Sequence, residues 1–266
     1  MISFKVIQIA LTLVRTSSGN DMELPIRLKI QPLIESTIEL RFDEPSISIV
    51  DRLPALVFTK LAGVFTSSEI TPVASLPKEV RDKDPNLWYA QNFRILGSGY
   101  LLYFGDRVVG ISRHSPYCGW VEFKAKALEI FNVLIESNLL PPVVRFSMKA
   151  VNILPSLRKT QLEMLTLKID IGGVSPVDSG FNIRAELRGD RYIKILEITP
   201  NVAAQQNEFK TSGLLISVDC INYKCSNGVR IEDVIYELDL LHDETKRQFF
   251  ELLSVDVLQE LEPEYK

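Results

Sequence analysis

Residues 116–153 read PYCGWVEFKAKALEIFNVLIESNLLPPVVRFSMKAVNI, a turn, a helix and a strand in immediate succession. Between Trp120 and Asn138, Val121, Leu128, Phe131, Leu134 and Ile135 recur at helical spacing, which predicts a helix with one buried face. Pro141-Pro142 ends it, because proline lacks an amide hydrogen and clashes with the turn before it. Val143 to Ile153 then alternates, with Val144, Phe146, Met148 and Ala150 on one side and Arg145, Ser147 and Lys149 on the other. Such a two-residue period is that of a half-buried strand. A long helix handing over to a strand in mid-chain, with further strands on both sides, points to an α+β fold.

Upstream, Leu28 to Phe42 alternates in the same way. Ile34, Ser36, Ile38, Leu40 and Phe42 share one parity, and Glu35, Thr37, Glu39 and Arg41 take the other. Ile47 to Phe58 is apolar, and Pro54 inside it predicts only short helical pieces. Thr66 to Pro85, rich in Ser, Pro and charge, is predicted to be a long surface loop. Gln91–Leu96, Tyr100–Phe104 and Arg107–Ser112 read as strands, with Gly97-Ser98-Gly99 and Gly105-Asp106 as hairpin turns between them. Downstream, Leu162–Ile171, Phe181–Leu187, Tyr192–Thr199 and Gly213–Asn222 read as strands, with a hairpin tip at Arg188-Gly189-Asp190-Arg191. The tail, from Ile231 to Leu258, is helical. The expected architecture is two related halves, each an antiparallel sheet covered by a helix, spanning residues 22–155 and 156–266. Residues 1–21 are an N-terminal extension in this reading. Their apolar run, Ile2 to Val14, is too short and too interrupted to span a bilayer, and Met22 is a second candidate start.

The chain has 266 residues, of which 46% are hydrophobic and 24% charged, ordinary values for a soluble globular protein. Thirty basic against 34 acidic residues give a net charge of −4, which disfavours nucleic acid as a partner. Three cysteines (Cys118, Cys220, Cys225) and two histidines fit a reduced, cytoplasmic chain without a zinc site.

Several separated pieces resemble a sporadically distributed bacterial family of uncharacterised proteins of about this size. The pieces are Pro32 to Phe42, Tyr117 to Phe123, Val144-Arg145-Phe146 through Val151-Asn152, and Leu241-His242-Asp243-Glu244 through Leu253. The strand before Asn152 departs from the family pattern, which tends towards an aromatic just before the asparagine. The resemblance implies no assigned activity, and a patchy distribution like that of mobile or defence-associated genes.

Five residues are binding candidates: Tyr117, Trp120, Arg145, Asn152 and His242. Tyr117 and Trp120 bracket a helix start, where aromatics staple the entering chain or open a groove that could receive an anion. Arg145 and Asn152 stand seven apart on one strand, so a regular strand points them to opposite faces. His242 fits a cap or a surface position. No catalytic residue, metal or cofactor is expected. Acid-x-Lys triplets occur at Glu208-Phe209-Lys210, preceded by Asp178, and at Glu122-Phe123-Lys124, the pattern on which a metal-dependent nuclease would rely. The expected function is a non-enzymatic protein-interaction or regulatory component of a small gene system, with a protein partner or a homo-oligomer and no membrane. The alternative is a metal-dependent nuclease or another hydrolase.

Overall fold

The computed structural model describes residues 23–43, 49–155, 160–169, 171–174, 180–206, 209–223, 225 and 227–265. The 1–21 extension, the choice of start and the acids Asp178 and Glu208 lie outside them. In chain order the elements are β1 (Arg27–Leu28), β2 (Leu33–Phe42), α1 (Ile49–Lys60), β3 (Ser67–Ile70), α2 (Lys78–Lys83), β4 (Phe93–Gly97), β5 (Tyr100–Gly105) and β6 (Val108–His114). They continue with α3 (Trp120–Ser137), β7 (Val143–Pro155), β8 (Ile183–Arg188), β9 (Tyr192–Gln206), β10 (Phe209–Asn222), α4 (Ile231–Leu252), α5 (Val255–Glu260) and β11 (Pro263–Glu264).

Among the described residues nine strands form one antiparallel sheet in the order β3-β4-β5-β6-β2-β7-β10-β9-β8, and β1 pairs with β11 in a small separate ribbon. The centre is the antiparallel pair β2–β7. On one side β2 pairs with β6, the last strand of a β4-β5-β6 meander that leads into α3. On the other side β7 pairs with β10, the last strand of a β8-β9-β10 meander that leads into α4. The sheet runs unbroken through Pro155, which pairs with Gly213.

Helices α1, α3 and α4 cover one face. Ile38, Leu40 and Phe42 of β2 meet Phe123, Phe131 and Leu134 of α3 and Leu53 and Val57 of α1 in a first core, all nearly inaccessible. A second core gathers Leu196, Ile198, Leu214, Ile216 and Val218 under Phe249, Phe250 and Val257. Each such side chain contributes about 1.5–3 kcal/mol through removal from water. Helix α4 serves both, giving Val234, Leu238 and Leu241 to the first core and Phe249, Phe250 and Leu252 to the second.

Four local expectations change. Pro54 lies inside a 12-residue helix instead of breaking it, because burial of Ile49, Leu53 and Val57 offsets the one backbone bond that proline removes. Thr66 to Pro85 is not a loop but the edge strand β3, a 3-10 turn at Pro72–Ser75 and α2. Arg81 of α2 fastens it to the sheet through a two-pronged pair with buried Asp106 (2.6 and 3.1 Å). Among the described residues of 162–171 there is no strand; they hold a 3-10 turn at Leu162–Met164, and Leu165 bridges Leu253. Val121 is 83% exposed, since Phe123, Ala127, Ile130 and Leu134 form the buried stripe and a residue two before Phe123 faces the other way.

Candidate functional site on the helix-free face

Among the described residues the second face of the sheet has no covering helix, only the α2 segment at its rim, and it carries the other parity of the same strands: Glu35, Thr37, Glu39 and Arg41 on β2, Arg145, Ser147 and Lys149 on β7, and Ser217 and Asp219 on β10. The β2–β7 register sets Arg41 directly opposite Arg145. Like charges in facing positions repel, and two acids answer them. Glu39 Oε1 accepts from Arg41 Nε at 2.6 Å, and Asp219 Oδ2 lies 3.5 Å from Arg145 Nη2. Tyr103 reaches in from β5 and donates its hydroxyl to Glu39 Oε2 at 2.7 Å. It does so by crossing Gly110 of β6, where a Cβ would come within 2.1 Å of the tyrosine ring. Tyr89, just after α2, stacks on the Arg41 guanidinium at 4.2 Å.

Burial governs the electrostatics of this cluster. It pushes the Asp219 carboxyl above the usual carboxylate range, and the attraction of Arg145 opposes that without reversing it. Burial also pulls the Arg145 guanidinium down, with Arg41 adding to the effect. Both partners are thus biased towards their neutral forms, the signature of a pair whose desolvation exceeds its mutual attraction. Arg145 Nε and Asp219 Oδ1 are buried without a hydrogen-bond partner at ordinary distance, although the Ser147 hydroxyl is near enough to ease ionisation of Asp219. Tyr103 is pushed well up by burial first and Glu39 second, so it keeps its proton and remains a donor. Beside this cluster, Thr37 donates to Glu35 at 2.8 Å and shares a 2.6 Å bond with Ser112, and His114 Nδ1 stands 4.0 Å from Glu35. Towards the outer strands, Asn182, Arg184, Glu197, Thr199, Val202 and Leu215 line an open cavity of about 680 Å³.

The other sequence candidates fall on the helix-covered side or within the sheet. Trp120 and His242, remote in sequence, are stacked at 4.3 Å with rings 11° apart. The Trp120 indole donates to Asp239 at 2.9 Å, and Lys124 reaches the second oxygen of Asp239 at 2.6 Å. The Lys124 and Trp120 bonds hold the Asp239 carboxyl below its usual range. His242 is pulled down by burial against the opposing influence of Asp243, which lies 3.0 Å from Nδ1. Tyr117 meets Phe123 edge-on at 6.2 Å, as Trp120 does, and burial raises its phenol. Tyr117, Phe123, Trp120 and His242 therefore form one aromatic clasp between the start of α3 and the middle of α4. Asn152 is buried in β7, its amide donating to the Ile216 carbonyl at 3.4 Å. It lies on the parity opposite to Arg145, so the two do not share a site.

Sequence reading named Arg145 and missed Arg41, Glu39, Tyr103 and Asp219. The alternation of β2 was visible, but nothing local says that β7 lies beside it with Arg41 facing Arg145. Glu122 is on α3, exposed on its outer side. Among the described residues no three His, Cys, Asp or Glu side chains converge in a way that could hold a metal ion, and no helix is long and apolar enough to cross a membrane. No known family model matches the chain, and no curated protein does.

Proposed function

We propose that this chain is a non-enzymatic protein-interaction or regulatory component that presents the helix-free face of its sheet to a protein partner. The observation that carries the reading is the Arg41–Arg145 opposition on the two middle strands of that face, near one end of β2 and β7, with its two acids. A fold gains little from burying such a cluster, because apolar residues of similar size hold a sheet as well or better. A partner that meets the exposed part of this charge pattern with complementary groups gains orientation and selectivity from it. The acids are engaged, Glu39 by Arg41 and Tyr103, Glu35 by Thr37, and Asp219 by its proximity to Arg145. That arrangement suits recognition of a matching charge pattern better than proton transfer. The α2 segment, with Tyr89 and Trp88 stacked on Arg41 and Arg107, forms one rim of the surface.

The same reading includes two finer elements. The repeated succession of central strand, three-strand meander and helix on each side of β2–β7 supports an internal duplication, with α1, β3 and α2 as an insertion in the first copy. The resemblance to the sporadically distributed bacterial family supports a place in a small, defence-associated gene system. The test is co-expression with the product of a neighbouring gene. A complex that forms with the natural chain and is lost in Arg145→Ala and Arg41→Ala variants that remain folded is expected. Mg²⁺- or Mn²⁺-dependent cleavage of DNA or RNA by the purified chain alone would instead make it a nuclease.

A further inference from the structure

Among the described residues β8 ends the sheet: it pairs with β9 on one side and with no strand on the other. Its outer row of amide and carbonyl groups is a template for another strand. We propose that this edge binds β8 of a second copy of the chain, antiparallel, with Ala185 facing Ala185 of the second copy, so that one sheet continues across a two-fold axis.

The sequence of β8, Ile183-Arg184-Ala185-Glu186-Leu187-Arg188, is complementary to itself in that register. Arg184 faces Glu186 of the second copy, and the axis generates the reciprocal pair, so two opposite-charge contacts form on the helix-free side. On the helix-covered side, where Ala185 belongs to the second core and Ile183 and Leu187 pack against it, Ile183 faces Leu187 of the second copy. Apolar thus meets apolar and each core extends into its neighbour. Centring the pair on Glu186 instead would set Glu186 against Glu186 and Arg184 against Arg188, so charge selects the register. Arg184 is available for the exchange, since its side chain is 60% exposed and its contact with Glu197 is long, at 3.6 Å; Glu186 is paired with exposed Arg188 of its own strand at 2.7 Å, a contact that the exchange shares or replaces.

The opposite edge behaves differently. Strand β3, Ser67-Ser68-Glu69-Ile70, is four residues long and exposed throughout, and Glu69 is engaged by Arg94 at 3.4 Å. Paired with itself antiparallel, β3 offers no opposite charges and no apolar row. Self-complementarity is a property of β8 and not of sheet edges in general. The contact is also independent of the Arg41–Arg145 cluster, so partner binding and self-association can be measured separately.

The experiment is sedimentation of the purified chain over a range of concentrations, for the natural sequence, Glu186→Arg, and the swap Arg184→Glu with Glu186→Arg, each checked for folding by thermal melting. The natural chain is expected to dimerise. Glu186→Arg should weaken the dimer at least about tenfold, since both ion pairs become Arg–Arg contacts. The swap should restore dimerisation with itself but not with the natural chain, because mixed pairs would juxtapose like charges. Exchange of the β8 amides in the natural chain should slow as concentration rises. A chain that stays monomeric, a dimer that Glu186→Arg leaves intact, or a swap that pairs freely with the natural sequence would overturn the proposal.

Discussion

On β2 and β7, alternate residues face opposite sides of the sheet, and the two sets contribute to stability in opposite ways. Ile38, Leu40, Phe42, Phe146 and Met148 are buried against α1, α3 and α4, a dry apolar layer in which each side chain adds to stability. Their neighbours Glu39, Arg41, Arg145, Ser147 and Lys149 line a face of charges held in partial burial. Removal from water favours the first set and penalises the second. Substitutions should separate the two sides.

The largest effect is expected on the helix side. Phe123 is fully buried and meets the rings of Tyr100, Tyr117 and Trp120. Phe123→Ala should cost about 3–5 kcal/mol in a denaturant titration, with loss of the aromatic clasp. Next comes Arg145→Ala, which leaves Asp219 buried without its counter-ion and should cost about 3 kcal/mol. If that substitution proves harmless, water already solvates the face and the contrast between the two sides disappears.

Asp106 sharpens the comparison through pH. Burial pushes its carboxyl up, but the hydrogen bonds from Arg81 and Asn92 outweigh that and hold it below the usual range. An acid whose value is depressed in the folded state contributes stability that is present above its unfolded value and is lost as pH falls through the folded one. Asp106→Asn should therefore cost about 2 kcal/mol near neutrality, and the difference from the natural chain should shrink below about pH 4. Asp219, raised by burial, has the opposite sign: its ionisation weighs against the fold, and that penalty fades in acid. A smaller effect, about 1 kcal/mol, is expected for Trp120→Phe, which keeps a ring against His242 but removes the hydrogen bond to Asp239.

Local signals in the sequence reached the elements but not their pairing. The hairpins at Gly97-Ser98-Gly99 and Gly105-Asp106, helix α3 and the parity of β2 were all legible, because each rests on turn chemistry or periodicity within a few residues. The helix through Pro54 was not, since tertiary burial of Leu53 and Val57 overrides a local breaker. Strand β3 was hidden for a related reason: an exposed edge strand of Ser, Ser and Glu has no alternation to betray it. The site depended on register. Arg41 and Arg145 are 104 positions apart, and so are their roles until β2 and β7 are laid side by side. The same holds for Trp120 and His242, which meet only because α3 and α4 lie together on one face.

The most direct test replaces the Arg145–Asp219 pair as a unit, Arg145→Met together with Asp219→Leu, and compares melting temperature with binding to the partner proposed above. Removing both charges relieves their desolvation, so the melting temperature should hold or rise, while the complex should be lost. A stable double variant that still binds its partner as tightly as the natural chain would contradict the assignment of the helix-free face as the recognition surface.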